Sequence, residues 1–163
     1  MELQVYDENG IFSIVNIQNY QSFVDDDWSL EQLINHFVIQ MNKQTCIVWQ
    51  VSNEGGGDWI LQILENKSEK NSFRECTKTI EVTNNVLHFV NYTNLTMAAQ
   101  FIDNKISTDW KIELENGYYE ITIRQMFNPY DYEIEQEEVF EVIPRQITLE
   151  NLNKVEQVFW WNE

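Results

Sequence analysis

The sequence predicts a mainly β fold, an antiparallel β-sandwich with one amphipathic helix (about 29–41) inserted, and three observations lead there. Short runs rich in β-branched and aromatic residues recur along the chain, separated by turns containing Asn or Gly. One segment carries a clear 3.6-residue apolar period. Hydrophobic residues make up 43% of the 163, with 6 Trp, 7 Tyr and 9 Phe, and a chain of this length buries roughly 70% of its unfolded surface. With two prolines, no linker-like stretch and no internal repeat, residues 1–163 read as a single domain.

Ser29 can cap the helix, and Gln32 three residues on completes a Ser-x-x-Gln capping box. Leu30, Leu33, Ile34, Phe37, Val38 and Met41 then form one apolar stripe. Asp25, Asp26 and Asp27 precede it, where carboxylates favour the positive end of a helix dipole. The remaining elements read as strands. Ile11–Ile17 mixes β-branched and apolar residues. Thr45–Val51 and Asp58–Leu64 flank Ser52-Asn53-Glu54-Gly55-Gly56-Gly57, which predicts a hairpin with a flexible loop. Thr79–Thr83 and Val86–Val90 flank Asn84-Asn85, a tight turn because Asn tolerates positive φ. Lys111–Glu115 and Tyr118–Phe127 flank Asn116-Gly117, the strongest hairpin signal in the chain. In the second of these strands Tyr119, Ile121, Ile123 and Gln125 share one face. Val139–Ile143 adds a strand that Pro144 ends, and Asn94–Phe101 reads as a short helix or an irregular crossover.

Charge is the outlier. The formal net charge is −17 from 27 acids and 10 bases, whereas a small soluble domain typically carries a magnitude of about 2–8. Residues 1–42 hold seven acids and no base, and residues 112–163 hold twelve acids and three bases. Two segments concentrate the charge: Asp25-Asp26-Asp27-Trp28, and the stretch 128–138 with Asp131, Glu133, Glu135, Glu137 and Glu138. Extended backbone there would point Asp131, Glu133 and Glu135 one way and Tyr132 and Ile134 the other. Trp28, Tyr130 and Tyr132 set aromatic groups beside the acids, and aromatics are enriched at the centres of protein interfaces. Such acidity argues against direct nucleic-acid binding, because each phosphate contact needs a Lys or Arg. Anionic membranes are disfavoured for the same reason.

No reaction is encoded at recognisable spacing. His36 flanks the helix stripe and His88 lies in an apolar run; neither shares metal or triad spacing with Cys46, Cys76 or a serine. Cys46 reads as a buried thiol and Cys76 as partly exposed. A carboxylate pair for glycoside hydrolysis has no specificity among 27 acids. Gly55-Gly56-Gly57 lacks the Lys-Ser/Thr of a phosphate-binding loop, and the acidic segments lack the glycine and spacing of an EF-hand. The expectation is therefore no enzyme, no cofactor and no metal. Phe159-Trp160-Trp161 either docks onto the core or forms an exposed contact patch, with docking favoured. No apolar run approaches the ~20 residues that span a bilayer, and no secretory signal opens the chain. A cytoplasmic protein is expected.

Tyr20, Phe23, Asp27-Trp28 and Phe37, a β-rich stretch, then Leu114-Glu115-Asn116-Gly117-Tyr118-Tyr119-Glu120-Ile121 together resemble the competence protein J family. The likeness runs over Tyr20–Val142 on scattered residues; the Ser52–Gly57 loop is longer here, and the chain continues past Pro144. The resemblance implies a sandwich-like fold and a protein partner, since members of that family are small acidic inhibitors of a DNA-entry nuclease. It carries over Asp27-Trp28 as a partly structural corner.

These readings combine into an acidic, non-enzymatic inhibitor or immunity-type protein. It would bind and neutralise a basic protein partner, a nuclease or toxin, with Asp25, Asp26, Asp27, Asp131, Glu133, Glu135, Glu137 and Glu138 opposing its cations and Trp28, Tyr130 and Tyr132 as anchors. The alternatives are a carbohydrate- or small-ligand-binding sandwich and a structural protein of a phage or mobile element.

Overall fold

Helix α1 (Leu30–Asn42) starts where the capping pattern puts it. Ser29 Oγ accepts from the Gln32 N–H at 3.2 Å, and Gln32 Oε1 accepts from the Ser29 N–H at 2.7 Å, so each residue satisfies the other's backbone. The structure is a computed structural model that describes residues 1–23, 27–96, 108–131, 136–150 and 152–163. Its strands are β1 (Glu2–Asp7), β2 (Ile11–Val15), β3 (Cys46–Gln50), β4 (Gly57–Ile63), β5 (Arg74–Val82), β6 (Val86–Asn91), β7 (Lys111–Glu113), β8 (Gly117–Gln125) and β9 (Val139–Ile147), with a one-turn helix α2 (Tyr92–Leu95). They form a five-stranded sheet, β1-β4-β9-β8-β5, and a four-stranded sheet, β3-β2-β6-β7. The protein is mainly β, with two sheets and few helices.

The two sheets enclose one core. Phe12, Ile14, Trp49 and Phe89 of the smaller sheet meet Trp59, Ile80, Ile121 and Phe140 of the larger. Tyr119, Ile121 and Ile123 of β8 all face inward, as the alternation predicts. The other face of the smaller sheet is covered by α1, through Leu33, Phe37 and Met41 against Val15, Cys46, Val48 and Val90. Strands β2 and β3 are therefore buried on both faces, which explains why, apart from Ser13 and Gln50, they are apolar on both faces.

Topology departs from the sequence expectation in one systematic way. Each predicted hairpin, β3–β4, β5–β6 and β7–β8, has one strand in each sheet, so its loop arches across the core. Period-2 patterning tells which face is inside but not which strand lies alongside, and two inward-facing strands joined by a short turn can face each other as readily as pair. The turn chemistry itself holds. Asn84 and Asn85 both adopt φ 55°, and a single bridge joins Thr83 to Val86 before the strands part. Asn85 and Asn116 each accept the other's backbone N–H, at 3.2 and 2.8 Å, stitching two arches together.

Three smaller corrections follow. The sheets are not wholly antiparallel, because β4 and β9 pair in parallel. Strand β9 runs through Pro144 to Ile147; the Val142 carbonyl faces β4, which ends at Ile63, so the imide nitrogen of Pro144 falls where no donor is needed. Cys76 is buried instead of partly exposed, since it faces the core from β5. The Asn94–Phe101 segment begins as α2, and its residues 97–101 lie outside the described residues. Strand β1 had no counterpart in the sequence reading.

The Phe159-Trp160-Trp161 segment docks. Gln50 N–H donates to Phe159 O (2.9 Å) and Phe159 N–H donates to Val48 O (3.2 Å), which covers the free edge of β3. Trp160 is buried with its ring over Arg74. Trp160→Ala is expected to lower unfolding free energy by about 3–5 kcal/mol in urea titrations; a loss below about 1 kcal/mol would mean the segment is a loosely held tail.

Candidate protein-binding site

Strand register brings three chain reversals that carry acidic residues to one end of the sandwich. Asp7 lies opposite Gly57, Ile60 opposite Val139, Gln125 opposite Phe140 and Arg74 opposite Gln125 in the larger sheet. In the smaller sheet Ile11 lies opposite Gln50 and Phe12 opposite Asn91. The β1–β2 turn, the β3–β4 arch and the β8–β9 connection therefore share a pole. Exposed Glu8, Glu54, Asp58, Glu137 and Glu138 sit on it, with half-buried Asp131.

The pole is held by buried polar groups. Asp7, 3% exposed, accepts backbone N–H bonds from Asn9, Ile11 and Tyr92 at 3.1, 2.9 and 3.2 Å. Burial pushes its carboxyl pKa up, and those donors oppose the rise. Gly56 packs so closely that a Cβ there would stand 1.7 Å from the Asp7 carbonyl oxygen, so only glycine lets the arch cross the turn. Arg74 is the cation at this junction. Its Nη2 donates to Gln50 O (3.0 Å) and Val51 O (2.9 Å), its Nε donates to Gln125 Oε1 (2.7 Å), and its guanidinium lies 4.6 Å from the Trp160 ring centroid. Its contact with the Glu163 carboxylate is 4.0 Å.

Asp27 is exposed in the turn before α1, and Trp28 is half-buried against the α1 side of the smaller sheet. Tyr130 is half-buried and is a strut as much as an anchor: its hydroxyl accepts from Asn53 N–H (3.1 Å) and donates to Glu163 O (3.0 Å). Glu137 and Glu138 are exposed at the start of β9. Burial and the neighbouring Asp58 carboxylate raise the Glu138 pKa, while a bond from the Trp59 indole lowers it. Asp25, Asp26, Tyr132, Glu133 and Glu135 lie outside the described residues. The C-terminus lies between the described ends of the two acid-rich stretches: the Glu163 carbonyl accepts from Tyr130, while Trp161 lines a groove with Leu30 and Glu31 of the first turn of α1.

Sequence reasoning missed Glu8, Glu54, Asp58 and Glu163 as members of this surface. Glu8 and Glu54 each stand just before a glycine turn, and that signal places them at chain reversals without saying that the reversals adjoin. Among the described residues no group of three or more His, Cys, Asp or Glu is arranged to hold a metal ion. Trp49, Trp59 and Trp160 are buried and Trp28, Trp110 and Trp161 half-buried, so no exposed tryptophan pair offers a sugar-stacking platform. Among the described residues no helix is long and apolar enough to cross a membrane.

No protein-family model matches the chain, and no curated protein matches it. Two solved structures share its fold. One is ComJ of Bacillus subtilis, an inhibitor of the DNA-degrading activity of NucA, at 12% identity and a TM-score of 0.53, covering 90% of this chain and 96% of that one. The other is the product of crocagin biosynthetic gene J, at 10% identity and a TM-score of 0.53, covering 89% and 96%. The fold expected from the family resemblance is therefore present.

Crowding at the pole has a measurable sign. A carboxyl whose pKa is raised on folding costs the folded state stability as pH climbs through its titration. Glu138→Gln, which keeps an acceptor for the Trp59 indole, is expected to stabilise the protein at neutral pH. The gain should vanish below about pH 4, where an ordinary glutamate is neutral too. Urea unfolding of both proteins at the two pH values checks this, and a gain that persists in acid would assign it to packing.

Proposed function

We propose that this protein is a non-enzymatic inhibitor that binds a basic protein through its acidic pole, and that the partner is a nuclease. The supporting observation is the convergence of Glu8, Glu54, Asp58, Asp131, Glu137 and Glu138 on one end, where Arg74 spends its donors inside the fold. A nuclease presents Lys and Arg to grip phosphates; an array of carboxylates competes for those cations. Asp25, Asp26, Asp27, Glu133 and Glu135 belong to the two acid-rich stretches and extend the same surface in this reading, with Trp28, Tyr130 and Tyr132 as its aromatic groups. The fold shared with ComJ, itself a nuclease inhibitor, agrees with this reading. A cytoplasmic location is part of the same proposal.

The division of labour is physical. Long-range attraction between opposite surfaces raises association rates toward 10⁸–10⁹ M⁻¹s⁻¹ at low salt, roughly. Individual exposed pairs add only about 0–1 kcal/mol each, so the charges steer and apolar contacts must hold.

DNA degradation by NucA and by a panel of basic endonucleases, measured against rising concentrations of the protein, tests the proposal. Inhibition of at least one enzyme is expected, weakening with added salt and on acidification through about pH 4–5, where carboxylates protonate. Glu54→Lys/Glu137→Lys/Glu138→Lys should slow association about tenfold or more at low salt, while the control Glu113→Lys/Glu115→Lys, exposed at the opposite pole, should not. Full nuclease activity throughout the panel, with no salt-dependent binding, would overturn it.

A further inference from the structure

The apolar stripe of α1 is wider than the face the fold buries. Leu33, Phe37 and Met41 are fully buried against the smaller sheet. Beside them Leu30, Ile34 and Val38 form a second row, four residues apart and so aligned along the helix. Leu30 is 51% exposed, while Ile34 and Val38 are half-buried. The docked C-terminal segment runs alongside and presents Trp161 to this row, leaving a groove of about 440 Å³. Exposed Glu31 and Glu156 are its charged lining residues, and no cation lines it. The groove adjoins the acidic surface, since Trp161 stands two residues before Glu163 and Leu30 three after Asp27.

We propose that this groove takes a large aliphatic or aromatic side chain of the basic partner, on a segment that carries Lys or Arg on either side of it. The inference rests on the reading of this protein as a binder of a basic partner and names the feature of that partner the groove selects. An apolar floor rewards burial of a Leu-sized side chain by removing its surface from water. The carboxylates on the rim favour neighbouring cations and repel an acidic segment or an anionic lipid surface, which gives the groove its choice of partner. Its contribution differs in kind from that of the pole: short-range apolar contact lengthens the lifetime of a complex, whereas distant charge raises the rate of encounter.

The test uses the intact ¹⁵N-labelled protein and three synthetic helical peptides of equal length: leucine–lysine, lysine–glutamine and leucine–glutamine. The leucine–lysine peptide should shift the Leu30, Ile34 and Val38 amides and the Trp161 indole N–H together with Glu54, Glu137 and Glu138. Lysine–glutamine should shift only the pole, and leucine–glutamine should bind at least tenfold more weakly than leucine–lysine. Leu30→Ser, at a half-exposed position, should weaken leucine–lysine binding at least fivefold and leave lysine–glutamine binding unchanged. If leucine–lysine moves the pole alone, the groove is overturned while the acidic-surface reading stands. Equal binding of the uncharged leucine–glutamine peptide overturns the basic partner chemistry, and silence from every peptide overturns both.

Discussion

Arg74 is the contact on which the acidic pole depends. It leaves the start of β5, reaches the carbonyls at the end of β3, and meets the last side chain of β8, so one guanidinium joins both sheets where their turns gather. Trp160 closes over it. Burial pulls its pKa down, yet an arginine stays charged in a protein. Its Nε and Nη2 are directed to groups inside the fold, and the one carboxylate recorded near it among the described residues is that of Glu163, at 4.0 Å. Lysine would not serve, because its compact ammonium lacks the planar fork that reaches two carbonyls and an amide at once.

The same economy recurs on the larger sheet. Arg124 donates to Glu141 at 2.5 Å and to the Lys70 carbonyl at 2.6 Å, which pins the β4–β5 connection over that sheet's outer face. Lys78 faces inward from β5 and donates to the Asn153 carbonyl beneath the C-terminal segment. Lys67 pairs with Glu75, and Arg145 pairs with Glu120. Arg124 and Lys78 thus serve the fold's own joints, whereas the Lys67–Glu75 and Arg145–Glu120 pairs lie at the surface. The negative excess is therefore left to the surface, and the strand register decides where on the surface it collects.

Local chemistry was legible in the sequence, and partnership between distant segments was not. Ser29 and Gln32 announced the helix because a capping box is complete within four residues. Asn84-Asn85 and Asn116-Gly117 announced their turns because φ preference belongs to the residue itself. The sheet assignment of the flanking strands depends on which inward face meets which, a choice made by packing over the whole core; hence three expected hairpins became arches. Pro144 misled for a related reason: its missing donor matters only if a neighbour strand is present, and β4 has already ended. At the site, Asp131, Glu137 and Glu138 stood out because they cluster in sequence. Glu8, Asp58 and Glu163 did not, because only the ladders β1–β4 and β4–β9 and the Tyr130–Glu163 hydrogen bond bring them near the others.

The C-terminal segment carries the last step. It covers the β3 edge through Phe159, packs Trp160 on Arg74, receives Tyr130 through the Glu163 carbonyl, and turns Trp161 toward α1. One short stretch thus removes a sticky strand edge, braces the cation beneath the acids, and forms one wall of the apolar groove. Exposed ion pairs are individually weak and fade with salt. An acidic surface that must also retain its partner needs an apolar contact beside it. The residues that could supply one, Leu30, Ile34 and Trp161, lie where this segment meets the helix whose first turn continues the acidic run.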